Sequence, residues 1–146
     1  MGVPLRVTCR QRAGALECEV PSALTLVGEA VELVADHCAQ GALSPRRLRF
    51  HLRTALAEAL ANAITYGNRE DPRRLVRVRV ELGADWVRIT VTDDGGGFDS
   101  DGIPDPTTPE NLEREDGRGL FVMRHLADEV TFNAKGNVIC LEWKAG

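Results

Sequence analysis

The sequence predicts an α+β fold, a two-layer sandwich in which a mixed, mainly antiparallel sheet is covered on one face by three helices. Pairs of segments with alternating apolar and polar residues are joined by short turns, a pattern typical of antiparallel hairpins. Other segments repeat apolar residues every three or four positions, as amphipathic helices do. The order is strand, strand, helix, helix, strand, strand, helix, strand, strand. Hairpins separated by helices favour one sheet with its helices packed on one side.

The size and charge of the chain limit what it can do. Its 146 residues, 43% of them apolar, are enough for one core, so we expect a single domain over residues 1–146. The formal net charge of −4 provides no general attraction for nucleic acid or for an anionic membrane surface. The longest apolar stretch, residues 55–64, is interrupted by Glu58 and Asn62, and the N-terminus lacks the apolar run of a signal peptide. We therefore expect a cytoplasmic protein without a membrane span.

The individual elements follow from periodicity and from turn residues. Ser44 and Pro45 are typical of a helix start, and Gly67 of a helix end. Residues 98–116 contain three prolines and many acidic residues, which predicts a long irregular loop that acts as a lid or binding segment. The predicted elements are an N-terminal hairpin over 5–20 that turns near Gly14, helices over 22–41 and 44–66, a hairpin over 75–92, a helix over 120–127, and strands over 130–132 and 138–143.

The four cysteines are expected to be small core or strand residues. None forms a Cys-x-x-Cys pair or has a histidine at a spacing typical of zinc ligands. Cys9 and Cys18 would face each other across the N-terminal hairpin, but a cytosolic chain normally keeps its cysteines reduced. We therefore expect thiols at Cys9, Cys18, Cys38 and Cys140.

Glu58 and Asn62 are one helical turn apart, so their side chains point to the same place. An exposed polar stripe is the alternative interpretation. Alanine and leucine flank Glu58, and asparagine is a poor residue for a helix interior because its amide competes with backbone hydrogen bonds. A functional role is therefore favoured, and a carboxylate beside an amide is suited to sharing a metal and a water.

Asp93 follows a predicted strand and precedes Asp94 and three glycines, Gly95–Gly97. Such a segment is often a solvated turn, yet three glycines exceed what a turn needs. Glycine lets the backbone approach a flat ligand, and a carboxylate accepts a hydrogen bond from an exocyclic amine. If this loop binds a base, adenine is favoured over guanine.

Gly117, Arg118 and Gly119 stand immediately before an apolar helical run. The free N–H groups and the dipole at a helix start bind phosphate, although this short motif is a weak signal by itself. The Walker phosphate loop and the dinucleotide-binding glycine motif are both absent from the sequence. A nucleotide pocket in this chain would therefore be of another type.

These motifs, taken in order, resemble those of the GHKL ATPases, and the resemblance covers Ser44 to Trp143. Residues 58–67 and 116–128 resemble the asparagine-containing helix and the second glycine box of stand-alone anti-sigma factor serine kinases. The resemblance implies a Bergerat-type α/β sandwich with its nucleotide core over residues 44–143. The motifs that carry it are Glu58-x-x-x-Asn62 on a helix, Asp93-x-Gly95-x-Gly97 after a strand, Gly117-x-Gly119 before a helix, and Gly136-Asn137 before the last strand.

The resemblance also implies roles for individual residues. Glu58 would be the general base, Asn62 would hold the Mg²⁺ that bridges the phosphates of ATP, and Asp93 would accept a hydrogen bond from the adenine amine. The implied backbone contacts are those of Gly95 and Gly97 at the ring and of Gly117 and Gly119 at the triphosphate. Arg114 and Arg118 are further candidates, because a cation stabilises developing phosphoryl charge.

The function implied is that of an ATP-binding protein serine kinase acting as an anti-sigma factor. Such a protein binds a sigma factor and phosphorylates an anti-anti-sigma protein, and a homodimer is compatible with this role. One departure is Asn137, where the family usually has a threonine. The alternatives are a nucleotide-gated binding module without kinase activity, a histidine-kinase catalytic domain acting in trans, and a chain in which all these motifs are only turns and a polar helix face.

Overall fold

The structure, a computed structural model, describes residues 5–94, 115–133 and 136–145, with only the backbone described for 115–120. The strands are β1 (Thr8–Arg12), β2 (Ala15–Pro21), β3 (Leu75–Leu82), β4 (Trp86–Thr92), β5 (Glu129–Phe132) and β6 (Val138–Lys144). The helices are α1 (Val27–Cys38), α2 (Arg53–Asn62) and α3 (Glu115–Leu126). A 3₁₀ turn, Leu24–Leu26, precedes α1, and π-helical turns, Arg47–Leu52 and Ala63–Gly67, flank α2.

The six strands form one sheet in the order β1-β2-β3-β4-β6-β5. Each of the five pairings is antiparallel. The predicted α+β architecture is therefore confirmed, while the expected mixed character of the sheet is not found among the described residues. The physical reason is that tight turns join the strands in pairs, and these hairpins lie side by side without a parallel crossover.

The core lies between one face of the sheet and the helices. Alternate residues of β2, β3, β4 and β6 are buried on this face, whereas their neighbours on the other face are more exposed. Trp143 is completely buried, and its indole N–H donates to the Leu126 carbonyl at 2.8 Å. Burial of each large apolar side chain stabilises the fold by about 1.5–3 kcal/mol. This layer of apolar contacts fixes the helices, and with them the polar side chains that α2 carries.

The helical segment that contains α2 begins as the sequence predicts. The hydroxyl of Ser44 accepts a hydrogen bond from the Arg47 N–H at 3.2 Å, as an N-cap residue does. The segment continues through α2 and the π-helical turn to Gly67. Beyond it the Glu70 N–H returns to the Ile64 carbonyl at 2.7 Å. This bond closes the helix end and turns the chain toward β3.

The N-terminal hairpin corrects one expectation about the cysteines. Ala13 and Gly14 have φ values of 53° and 80°, as a two-residue type I′ turn requires, and the resulting register places Cys9 opposite Cys18. The two sulfur atoms are joined in a disulfide with an S–S distance of 2.23 Å. The expectation of thiols is wrong for this pair because the hairpin holds the two residues face to face. Cys38 and Cys140 are free.

Two further predictions concern the chain as a whole. Among the described residues, the helices are too short or too polar to cross a lipid bilayer. The single-domain organisation over residues 1–146 stays a prediction.

Candidate functional site

Glu58 and Asn62 both lie in α2, one turn apart, as the sequence predicts. Both side chains are half-buried, while Ala55 and Ala59 beside them are buried against the core. Among the described residues, no hydrogen bond or ion pair is made by the side chain of Glu58 or of Asn62. A carboxylate and an amide therefore share one helix face, with their polar atoms available to a ligand.

Asp93 lies directly after β4 and is buried, with 8% of its surface exposed. Its N–H donates to the Asn137 carbonyl at 2.9 Å, which ties it to the residue before β6. Its carboxyl group approaches Gly67 so closely that a Cβ atom at position 67 would collide with it. The end of the segment that carries Glu58 and Asn62 is therefore packed directly against Asp93.

Asn68 fixes this junction and was not recognised in the sequence. Its side chain is completely buried. The amide nitrogen donates to the Ser22 hydroxyl at 2.8 Å and to the Leu75 carbonyl at 3.1 Å, while the amide oxygen accepts from the Asp94 N–H at 2.8 Å. Asn68 thereby joins the helix end to the residue after β2, to β3 and to the segment after β4. The only local signal was an asparagine directly after the glycine that ends the helix.

Asp94 and Asn137 are held beside this junction. The Asp94 carboxylate accepts a hydrogen bond from Arg77 at 2.8 Å, and this contact raises the pKa of the guanidinium. The side-chain oxygen of Asn137 accepts from the Asn133 amide at 2.7 Å. Asn137 thus directs its side chain into the turn between β5 and β6. Its backbone carbonyl is the atom that contacts Asp93.

The segment from Gly117 to Gly119 lies within a helix rather than before one. α3 begins at Glu115, so Gly117 is already in its first turn and Gly119 follows in the second. The expected start near Leu120 is therefore corrected: two glycines disfavour a helix, but acidic residues in a first turn complement the helix dipole, and Glu115 and Asp116 occupy it. The N–H groups of the first turn have no partner inside a helix. α3 also packs against α2.

Arg47 and Asp128 connect the helical turn before α2 to the sheet. The Arg47 guanidinium donates to the Lys144 carbonyl at 2.6 Å and to Asp128 at 2.8 Å, and Asp128 accepts from the Lys144 N–H at 2.7 Å. Burial, the largest single influence, acts to raise the pKa of Asp128, but these hydrogen bonds and positive charges together lower it. The turn before α2 is thereby linked both to β6 and to the segment between α3 and β5.

Three features of the structure agree with the motifs in the sequence. They are the helix that carries Glu58 and Asn62, the aspartate at the end of β4, and the second helix packed beside the first. A model of the histidine kinase-like ATPase domain matches residues 20–143, which is most of the chain. The chain belongs to this family. The resemblance noted in the sequence is therefore confirmed, together with its α+β fold.

Several relatives of this histidine kinase-like ATPase domain have names that state a role. The chain is 35% identical over 89 residues to the anti-sigma F factor of Geobacillus thermodenitrificans, covering 59% of this chain and 60% of that protein. It is 37% identical over 82 residues to the anti-sigma F factor of Bacillus cytotoxicus, covering 54% and 56%. It is 28% identical over 96 residues to the serine-protein kinase RsbW of Oceanobacillus iheyensis, covering 62% and 61%. The match thus spans about three fifths of the length of these curated relatives.

The donor set of this ATPase domain can be compared with the needs of Mg²⁺. No group of three or more histidine, cysteine, aspartate or glutamate side chains within residues 5–94, 121–133 and 136–145 is arranged to hold a metal. Mg²⁺ at nucleotide sites is bound by one or two protein oxygens together with phosphate oxygens and water. The side-chain oxygen of Asn62, on the same helix face as Glu58, fits this requirement.

The structure describes only part of the predicted site. Glu58, Asn62 and Asp93 are placed with their side chains, whereas for Gly117, Arg118 and Gly119 only the backbone is described. Gly95, Gly97 and Arg114 lie outside the described residues, as does the predicted lid over 98–116 except for the backbone of Glu115 and Asp116. The ligand contacts of all nine residues stay predictions.

Proposed function

We propose that this chain is an ATP-binding protein serine kinase that acts as an anti-sigma factor, binding a sigma factor and phosphorylating an anti-anti-sigma protein. The observation that carries the proposal is the contact between Asp93 and Gly67 at the end of the segment that bears Glu58 and Asn62. This contact places the Asp93 carboxylate, the candidate adenine ligand, beside the helix whose face carries Glu58 and Asn62. The family of the domain supports ATP as the ligand, and the names of the relatives support the serine kinase and anti-sigma roles.

The direction of the nucleotide follows from the order of residues along the helix. Glu58 and Gly67 stand nine positions apart, which corresponds to roughly 13 Å along a helix at about 1.5 Å per residue. An extended nucleoside triphosphate spans a comparable distance. In this arrangement adenine lies at Asp93, where the carboxylate accepts from its amine, and the triphosphate extends toward Asn62, Glu58 and the first turn of α3. The backbone at Gly117 then offers N–H groups to the phosphates.

The proposed reaction is phosphoryl transfer to a serine of the partner. Mg²⁺, held by Asn62 and by phosphate oxygens, would neutralise the charge of the triphosphate. Glu58 accepts the proton of the serine hydroxyl while the serine oxygen attacks the γ-phosphorus and ADP departs. Arg118, and Arg114 before α3, are retained as candidate phosphate contacts.

Transfer is tested with labelled ATP, the full chain and an anti-anti-sigma protein. Wild type should form phosphoserine, and Glu58→Gln should lower the rate roughly hundredfold or more while ATP still binds. Glu29→Gln, an exposed glutamate in α1, removes the same charge elsewhere and should transfer at the wild-type rate. Undiminished labelling by Glu58→Gln would refute the base role, and acid-labile phosphate on the acceptor would refute transfer to serine.

A nucleotide-gated binding module is the second candidate function, and one observation favours it. A general base is usually oriented by a neighbouring group, yet no described residue makes a hydrogen bond or ion pair with the carboxylate of Glu58. Under this alternative, partner binding depends on ATP while no phosphate is transferred. Partner capture with ATP and with ADP, measured beside the labelling assay, distinguishes the two functions.

A further inference from the structure

The sheet face that points away from the helices carries a groove outside the candidate ATP site. The groove has a volume of about 400 Å³ and extends across β1, β2, β3 and β4. Four arginines line it, namely Arg10, Arg12, Arg77 and Arg79, together with the two glutamates Glu17 and Glu19. We call it the arginine groove. Its lining is net positive although the whole chain has a formal charge of −4.

The four arginines differ in how they are paired. Arg77 donates to Asp94 at 2.8 Å and Arg79 donates to Glu17 at 3.1 Å. Arg10 and Arg12 are exposed, and no ion pair joins either of them to another described residue. Because these two are alternate residues of β1, their side chains lie on one face about 7 Å apart. The unpaired positive charge is thus concentrated along the wall formed by β1.

Glu17 presents an unsatisfied acceptor in the same groove. Its Oε2 atom accepts from Arg79, whereas its Oε1 atom is buried without a hydrogen-bond partner. A buried carboxylate oxygen without a donor is costly. The arginine groove therefore combines two free cations with an acceptor that requires an N–H or O–H donor.

We propose that the arginine groove binds an acidic polypeptide segment of a partner protein. In an extended segment, acidic side chains at alternate positions repeat about every 7 Å, which matches the spacing of Arg10 and Arg12. The groove is separate from the proposed ATP site, because none of the residues assigned to that site lines it.

The same charges disfavour nucleic acid as the occupant. Glu17 and Glu19 stand next to Arg79 and Arg77 in the register of β2 and β3, so a continuous row of phosphates would meet two carboxylates inside the groove. A polypeptide avoids this repulsion, since its acidic residues are separated by neutral ones that also provide hydrogen-bond donors. An acidic peptide is therefore the better match.

The test is a fluorescence anisotropy titration of the full chain with a labelled peptide of alternating glutamate and alanine. The matched probes are a peptide with glutamine in place of glutamate and an oligothymidylate of similar length. Arg10→Gln combined with Arg12→Gln should weaken binding of the glutamate peptide roughly tenfold, as the loss of two exposed ion pairs predicts. The control pair Arg46→Gln with Arg49→Gln, also exposed, removes the same charge near α2 and should bind as wild type does.

Four results would overturn the proposal. They are equal affinity in the Arg10 and Arg12 double variant, an equal loss in the control pair, oligothymidylate binding as tightly as the glutamate peptide, and absence of peptide binding at millimolar concentration. Sedimentation of wild type and double variant adds a further test. A dimer that only the Arg10 and Arg12 double variant loses would identify a second copy of this chain as the occupant instead. All of these measurements are made without ATP, so their failure leaves the proposed kinase function untouched.

Discussion

Gly67 and Asp93 form the contact that constrains the candidate site most closely at the residue scale. Position 67 lacks room for a Cβ atom because the Asp93 carboxyl group occupies that space. The backbone is held on both sides of this contact. Asn68, next to Gly67, is hydrogen-bonded to Ser22, Leu75 and Asp94, and the Asp93 N–H donates to the Asn137 carbonyl. Because Gly67 has no side chain, the Asp93 carboxyl group can pack directly against the end of the helical segment.

Gly67→Ala should therefore disturb the site more than its size suggests. Overpacking of this kind costs about 1–3 kcal/mol, and displacement of Asp93 should also weaken ATP binding. The control is Gly28→Ala in α1, where an added Cβ meets open space and alanine should stabilise the helix by about 0.5–1 kcal/mol. Urea unfolding and ATP titration of both variants are the measurements. Equal stability and ATP affinity in Gly67→Ala and wild type would contradict the close packing of Gly67 against Asp93.

Asn68 carries the hydrogen bonds that hold this contact in place. Asn68→Ala leaves the Asp94 N–H and the Leu75 carbonyl without a partner, so unfolding free energy should fall by about 2–3 kcal/mol. The exposed Asn133 also accepts one backbone bond, from Val138 at 3.1 Å, and Asn133→Ala should cost less because water can replace it. Denaturant unfolding compares the two. A larger loss in Asn133→Ala would contradict the assigned role of Asn68.

At the scale of elements, β1 is the most exposed strand of the described sheet. Every residue of β1 is exposed, and β1 pairs only with β2 in the described sheet. The Cys9–Cys18 disulfide therefore supplements backbone pairing in holding this edge strand. It also holds Arg10 and Arg12 at the wall of the arginine groove.

Reduction of this disulfide should destabilise the protein. The bridge links residues nine positions apart, and closing a loop of that size in the unfolded chain is worth roughly 2–3 kcal/mol. Thermal unfolding with and without a reducing phosphine measures the effect, and Cys9→Ser provides the control because its stability should not respond to the reductant. An identical response of wild type and Cys9→Ser would contradict a stabilising bridge.

The link between Arg47 and Asp128 makes the stability of the fold dependent on pH. The folded pKa of Asp128 lies below its ordinary value of 3.8, so the contribution of this carboxylate to stability is complete above that value. It is lost as the pH falls through the lower folded pKa, when the carboxylate gains a proton. The difference in stability between wild type and Asp128→Asn should therefore be constant near neutral pH and shrink below about pH 4.

A double-mutant cycle measures this coupling directly. Arg47→Gln and Asp128→Asn should show an interaction of about 0.5 kcal/mol near neutral pH, small because the Asp128 side chain is 39% exposed. The interaction should decrease in acid. An interaction that grows as the pH falls would contradict a lowered pKa of Asp128 in the folded protein.

At the scale of the whole molecule, sequence patterns predicted what local chemistry decides. Ser44 caps its helix, the hairpins form where residues alternate, and Glu58 and Asn62 share a face because both positions follow from helical geometry. The contacts of Asn68 were beyond such patterns, since Ser22 and Asp94 lie 46 and 26 residues away. Cys9 and Cys18 were placed opposite each other correctly, but compartment statistics favoured thiols over the bond. The start of α3 was missed because two glycines outweighed the acidic residues of its first turn.

The central claim is that Asp93 and the segment bearing Glu58 and Asn62 form one site for ATP. Calorimetric titration of wild type and Asp93→Asn with Mg-ATP and with Mg-GTP tests it most directly. We predict that wild type binds ATP more tightly than GTP and that Asp93→Asn binds ATP at least about tenfold more weakly, because an amide presents a neutral acceptor and its own donor to the adenine amine. Absence of ATP binding at millimolar concentration, or equal ATP affinity in the two proteins, would contradict the claim.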